Sequence, residues 1–160
     1  MLSSLLLQDT KMINWTHIII HHSLTLDGKT LSWDDIKKYH MEVEHWNDIG
    51  YHFGIEQIEE SYQVLVGRPL TQVGAHCYQE EMNSKAIGIM FCGNFDETIP
   101  STKMLKVAVH GIVAPMMKIF NIPVSNLMKH SDFAIYKSCP GSKFNWLDFT
   151  DLVQEELSVT

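Results

Sequence analysis

Three isoleucines in a row, Ile18-Ile19-Ile20, inside the stretch THIIIHH at residues 16–22, constrain the fold of this chain more than any other feature. Successive side chains on a β-strand point to opposite faces, so a strand that is apolar at every position has both faces covered and belongs in the interior of a sheet. A strand with one wet face would alternate apolar with polar residues instead. The run ends in His21-His22-Ser23. The alternation that buries both faces also sends His21 and His22 in opposite directions, so at most one of the two imidazoles can reach a given ion.

A second stretch can meet that strand end. Residues 127–141, LMKHSDFAIYKSCPG, carry His130, Lys137 and Cys139 on a short strand-to-loop segment. An imidazole and a thiol nine positions apart cannot share a helix face as i, i+4 partners do. Ser131-Asp132 and Pro140-Gly141 let the chain loop back so that the two converge. Two such donors do not hold zinc, and the best third donor is His21 at the strand end. Donors from a strand end and a distant loop would make a three-ligand site with one open position, the arrangement of a catalytic rather than a structural zinc.

Elsewhere the chain alternates helix and strand signals. Residues 24–30 read as a loop turning at Asp27-Gly28. Ser32 followed by Asp35 predicts a capping-box helix start, with Ile36, Tyr39, Val43 and Trp46 on one apolar face as far as Ile49-Gly50. Residues 51–58 and 62–66, around Glu59-Glu60-Ser61, read as a hairpin. Residues 71–84 read as a long polar surface loop, and AIGIMF at 86–91 as a second apolar core strand. Ser101 or Thr102 is expected to cap a helix over 103–120, with Leu105, Ala108, Ile112, Met116 and Ile119 buried and a kink or break at Pro115. A short strand over 122–128 would deliver His130. Trp146, Phe149, Leu152 or Val153, and Leu157 mark a terminal helix. The sum is an α/β single domain over 1–160, with a core of about 15–158 behind an N-terminal extension of 1–14. Its central mixed, largely apolar sheet would be flanked by helices.

Composition narrows the function classes. At 160 residues and 45% hydrophobic content the chain can bury one core of ordinary size, not two. A formal charge of −7 argues against nucleic acid, which is held through clustered Lys and Arg. Three cysteines without framework spacing predict buried thiols at Cys77 and Cys92 rather than disulfides. No window is long enough to span a membrane. The opening MLSSLLLQD lacks the basic region and cleavage site of a signal peptide. His17, His22, His40, His45 and His110 read as structural, and His52 should point away from its neighbour Tyr51.

Five segments in order, HHS at a strand end, DIGYHFGI, VGRPLTQVGAHC, NSKAIGIMFCGNFD and HSDFAIYKSCPG, resemble the zinc-dependent N-acetylmuramoyl-L-alanine amidases. That family includes amidase-type phage lysozymes and peptidoglycan recognition proteins. Each segment alone is weak, but their order over about residues 16–149 is specific. The resemblance implies the fold of those proteins, one zinc per chain on His21, His130 and Cys139, and oxyanion or proton-donor roles for Tyr51 and Lys137. It places the loop carrying His76 beside the substrate groove, which makes His76 a substrate-binding residue. No Glu in these segments stands out as a general base. The activity implied is hydrolysis of the amide between N-acetylmuramic acid and L-alanine in peptidoglycan, by a monomer. Without an export signal the enzyme would be made in the cytoplasm and reach the wall by lysis or through a separate pore, as a phage or prophage endolysin or bacterial lytic enzyme does. The alternative is a non-catalytic peptidoglycan-binding module or a regulator of a partner protein, against which the presence of Cys139 speaks.

Overall fold

The computed structural model describes residues 13–24 and 32–159. The expected turn at Asp27-Gly28 and the first twelve residues of the N-terminal extension lie outside them. The strands are β1 (His17–His22), β2 (Phe53–Ile58), β3 (Ser61–Val66), β4 (Ala86–Phe91) and β5 (Leu127–Lys129). They form one sheet in the order β3-β2-β4-β1-β5. β1 runs parallel to β4 and β5 on either side of it, β2 runs parallel to β4, and the hairpin β2–β3 supplies the antiparallel pair. Ile18, Ile19 and Ile20 are all fully buried, as a strand apolar on both faces requires.

The two faces are covered differently. On the back, Ile18 and Ile20 of β1 with Ile87, Ile89 and Phe91 of β4 form one continuous core with helices that follow β4 and end the chain. Each such side chain contributes roughly 1.5–3 kcal/mol by its burial. On the front there are two smaller clusters. Ile19 packs with Cys77, Met82 and Ala86, and Met90 packs with Trp33, Ile36 and Ile49. His21 follows Ile19 on this thinner face and is paired in register with Met90.

Helix α1 (Trp33–Glu42) starts as expected: Ser32 Oγ accepts the Asp35 N–H at 3.2 Å and Asp35 Oδ2 accepts the Ser32 N–H at 3.1 Å. It ends earlier than the apolar spacing suggests. His45 takes a left-handed φ of 58°, and the Trp46 N–H bonds back to the His40 carbonyl. Trp46 therefore folds back over the His40 ring, 4.6 Å away, while Tyr39 and Val43 are exposed. Trp33 anchors the helix: its ring lies where a Cβ on Gly54 would be, within 2.3 Å of that position. Gly54→Ala is expected to lower stability by about 1–3 kcal/mol, the usual effect of overpacking. Urea unfolding should show a lower midpoint at unchanged m-value. An unchanged midpoint would mean that the indole moves aside freely.

The long helix after Ser101 has three parts, α2 (Thr102–Ala108), a π-helical turn (Val109–Val113) and α3 (Ala114–Phe120). Pro115 cannot donate to the carbonyl four residues back, and the wider turn just ahead of it accommodates that loss. A π turn takes up an extra residue, so the buried face beyond it lags the 3.6-residue spacing. Met117 is buried in place of Met116, and Ile119 is exposed. The expected strand over 122–128 is shorter as well. Val124–Asn126 forms a 3-10 turn, and only β5 follows before the one-turn helix α4 (His130–Phe133). Helix α5 (Trp146–Ser158) closes the back core through Phe149 and Val153. No described helix is long and apolar enough to cross a membrane.

Candidate metal centre and groove

Parallel strands present their carboxyl ends together, and it is there that the front face opens. β1 carries His21 to this end, β5 hands the chain to His130 at the first position of α4, and the loop after α4 returns Cys139. One donor atom from each of His21, His130 and Cys139 lies within 4.8 Å of the others, and all three residues are buried. His21 Nδ1 is 3.7 Å from Cys139 Sγ, and the His21 and His130 ring centroids are 4.5 Å apart. His22 points to the other face. Its Nδ1 accepts the Phe95 N–H at 3.2 Å and its ring stacks on Phe95, while its backbone N–H donates to Cys139 Sγ at 3.4 Å.

The Cys139 loop is tied down rather than loose. Asp96 accepts from Ser138 Oγ at 2.5 Å and from the Ser142 N–H at 2.7 Å, and the Lys143 N–H bonds to the Phe95 carbonyl. The Ser138 hydroxyl, foremost, holds the Asp96 carboxyl below its ordinary range. Gly141, at φ +124°, passes so close to the Phe95 backbone that a Cβ would sit 2.4 Å from its carbonyl carbon. These contacts fix where Sγ lies, and nothing in the spacing of residues 94–97 announced them.

The loop 71–84 is a surface loop along part of its length, with Val73 and Tyr78 exposed, but part of it turns inward. His76, Cys77 and Met82 are buried in it. Asn83 folds it, Oδ1 accepting the N–H groups of His76 at 2.7 Å and Cys77 at 2.8 Å. His76 then reaches the centre from behind: Nδ1 lies 3.0 Å from His21 Nε2, and Nε2 lies 3.1 Å from the Ala86 carbonyl oxygen. Both ring nitrogens are engaged inside the protein. His52 turns away from Tyr51 and is used structurally, between the Gly88 N–H and the Gln72 carbonyl.

In front of the three donors lies a groove of about 490 Å³. Tyr51, Lys137, His40, Trp46 and Tyr136 contribute to its walls, and none of the described residues lining it is an Asp or Glu. His40, read from the sequence as a helix-face residue, accepts the Gly50 N–H at 3.1 Å and so turns its ring into the groove wall. Tyr136 and Trp46 carried no signal beyond adjacency to Lys137 and a place at the end of an apolar spacing.

Electrostatics leave the donors neutral. Burial holds His21 well below its ordinary pKa, aided by the neighbouring His76, His130 and Lys137. Burial and then the Lys137 ammonium hold His130 down at about 4, and burial takes His76 to about 3. Burial pushes the Cys139 thiol up to about 12 and raises Tyr51 above its ordinary value. Uncharged imidazoles offer lone pairs, and a thiol this reluctant to ionise becomes a thiolate at neutral pH when a cation sits beside it. The 3.7 Å between His21 Nδ1 and Cys139 Sγ is close to the edge of a tetrahedron with zinc–nitrogen bonds of about 2.0–2.1 Å and a zinc–sulfur bond of about 2.3 Å. The three residues could therefore hold a zinc ion.

Among solved structures, the chain is similar to the N-acetylmuramoyl-L-alanine amidase LysC from Clostridium intestinale URNW, with a TM-score of 0.74 and 26% identity over 89% of this chain and 87% of that one. A Drosophila PGRP-LB mutant in complex with tracheal cytotoxin matches with a TM-score of 0.66 and 27% identity over 82% of this chain and 81% of that one. In sequence, the peptidoglycan-recognition protein LB of Drosophila melanogaster is 28% identical over 151 residues, 88% of this chain. The chain spans 62% of that relative's length. The family model described as N-acetylmuramoyl-L-alanine amidase matches residues 11–142, which takes in β1, the His76 loop, β4 and the His130–Cys139 segment. By that match over most of its length, and by the fold it shares with these proteins, the chain belongs to the N-acetylmuramoyl-L-alanine amidase family.

Proposed function

We propose that this chain hydrolyses the amide bond between N-acetylmuramic acid and L-alanine in peptidoglycan, using one zinc ion held by His21, His130 and Cys139. The observation that carries the reading is the convergence of two neutral imidazoles and a thiol at the floor of a groove lined by no described carboxylate. Zinc, when bound, supplies Lewis acidity and brings the pKa of water from about 15.7 towards about 7. The chain's own residues do the rest. Attack on an amide builds negative charge on the carbonyl oxygen, and the Lys137 ammonium and Tyr51 hydroxyl stand in the groove as donors to it. Burial keeps the Tyr51 proton in place, so it donates across the ordinary pH range. The setting that fits is a lytic enzyme acting on the cell wall, such as a phage or prophage endolysin.

A second reading is a binding module that keeps the groove without catalysis, supported by the recognition proteins among the relatives. The buried Cys139 favours the enzyme, since binding a muramyl peptide needs no thiol beside two imidazoles. Digestion of purified peptidoglycan separates the readings. Free amino groups are expected to appear with L-alanine at the new N-terminus, without new reducing sugar ends. Sugar-bond hydrolysis calls for two flanking carboxylates. Amines at other stem positions would indicate an endopeptidase, reducing ends a muramidase, and binding without either product the module.

A further inference from the structure

His76 lies behind His21, outside the set of three donors, yet its position decides which nitrogen His21 can offer. A chain of hydrogen bonds links His21 through His76 to the Ala86 carbonyl. The Ala86 carbonyl oxygen can only accept, so His76 Nε2, 3.1 Å away, carries the proton. His76 is a buried neutral imidazole, so its Nδ1 is then a lone pair. That nitrogen is 3.0 Å from His21 Nε2, which must donate to it. His21 is left with its lone pair on Nδ1, the atom 3.7 Å from Cys139 Sγ.

We propose that His76 is a positioning residue that locks His21 in the Nε2–H tautomer and turns the Nδ1 lone pair toward His130 and Cys139, so that the metal site is preformed. The inference rests on the zinc reading above and deepens it, and it gives His76 a task other than substrate contact.

The seat of the His76 ring is built for it. A Cβ on Gly88 would lie 2.5 Å from His76 Cδ2, and one on Gly74 would lie 2.4 Å from the same atom. Gly88 belongs to β4, opposite Ile19 in register, so the ring fills the place in the sheet where a side chain is missing. The Gly88 N–H is in turn held by His52 Nδ1 at 3.0 Å, and the His76 N–H by Asn83 Oδ1 at 2.7 Å. Partners that fix the orientation and tautomer of a metal-binding histidine typically change metal affinity by about 10–100-fold when removed.

The test is zinc affinity, measured by competition with a chromophoric chelator, together with imidazole nitrogen shifts of the metal-free chain. Wild type is expected to bind zinc and to show His21 as the Nε2–H tautomer. His76→Ala should weaken zinc binding by about 10–100-fold and give His21 a mixture of tautomers. His76→Asn, whose amide oxygen can stand near the place of Nδ1, should recover most of the affinity. A wild-type chain that binds no zinc would defeat the metal reading itself. Zinc binding by wild type with unchanged affinity in folded His76→Ala would overturn only the role given to His76. Equal weakening in the Ala and Asn variants would assign the loss to packing and overturn it too. Should the alanine variant fail to fold, the wild-type nitrogen spectrum decides alone, and an Nδ1–H His21 overturns the proposal.

Discussion

Cys139→Ser is expected to strip the purified protein of most of its zinc, from about one ion per chain, and to abolish peptidoglycan hydrolysis while the circular dichroism remains that of the folded domain. Sγ stands 3.7 Å from His21 Nδ1 and receives the His22 N–H at 3.4 Å, in a loop held by Asp96 and Gly141. A serine hydroxyl would take that place with little disturbance, so the fold should survive. It would not ionise beside the metal as a thiol does, and two imidazoles alone do not hold zinc tightly. His21→Ala should behave like Cys139→Ser. His22→Ala should keep its zinc, because that ring is spent on Phe95 at the opposite face. Full metal occupancy and activity in Cys139→Ser would remove the proposed centre altogether, and a reversed order of the two histidine variants would put the metal on the other face of β1.

Lys137→Ala and Tyr51→Phe are expected to retain zinc and lose turnover. Removing one donor to a developing oxyanion typically raises the barrier by about 2.7–4 kcal/mol, about 10²–10³ in kcat. Both groups stand on the groove wall and neither belongs to the set of three donors. The loss should therefore appear equally in kcat and kcat/KM, as it does for an interaction made only in the transition state. Measured metal content is the control. A rise in KM at unchanged kcat would make the two residues binders of the ground-state substrate.

The place of β1 in the sheet was legible in a local pattern, and the grouping of His21, His130 and Cys139, which the structure brings together, was legible through the resemblance of five ordered segments to a known family. Three isoleucines with His21 at their end mark the burial of β1 and send His21 and His22 to opposite faces, and the types and order of His130, Lys137 and Cys139 are the basis of the chemistry proposed. What was not legible depends on contacts made at a distance. Helix α1 stops at Glu42 because His45 adopts a left-handed turn and Trp46 returns over His40. The buried face of the long helix shifts to Met117 because a π turn precedes Pro115, which the apolar spacing alone cannot register. The loop 71–84 is polar and exposed in part, and the inward turn of His76 and Cys77 went unread because Asn83 and the glycines that seat His76 have no periodic signature.

The pairing of His21 with Met90, and of Ile18 with Leu127, has a consequence for assembly of the sheet. A slip of one residue would send His22 to the front and His21 to the back. The three isoleucines do not oppose such a slip, since either face of the strand remains apolar after it. The histidines do, because the slip that puts His22 in the place of His21 puts His21 in the place of Ile20, inside the apolar back core, and the opposite slip puts Ile20 in the place of His21. A histidine in that core would be a buried polar group without a partner, so the two imidazoles fix a register that the isoleucines alone leave open.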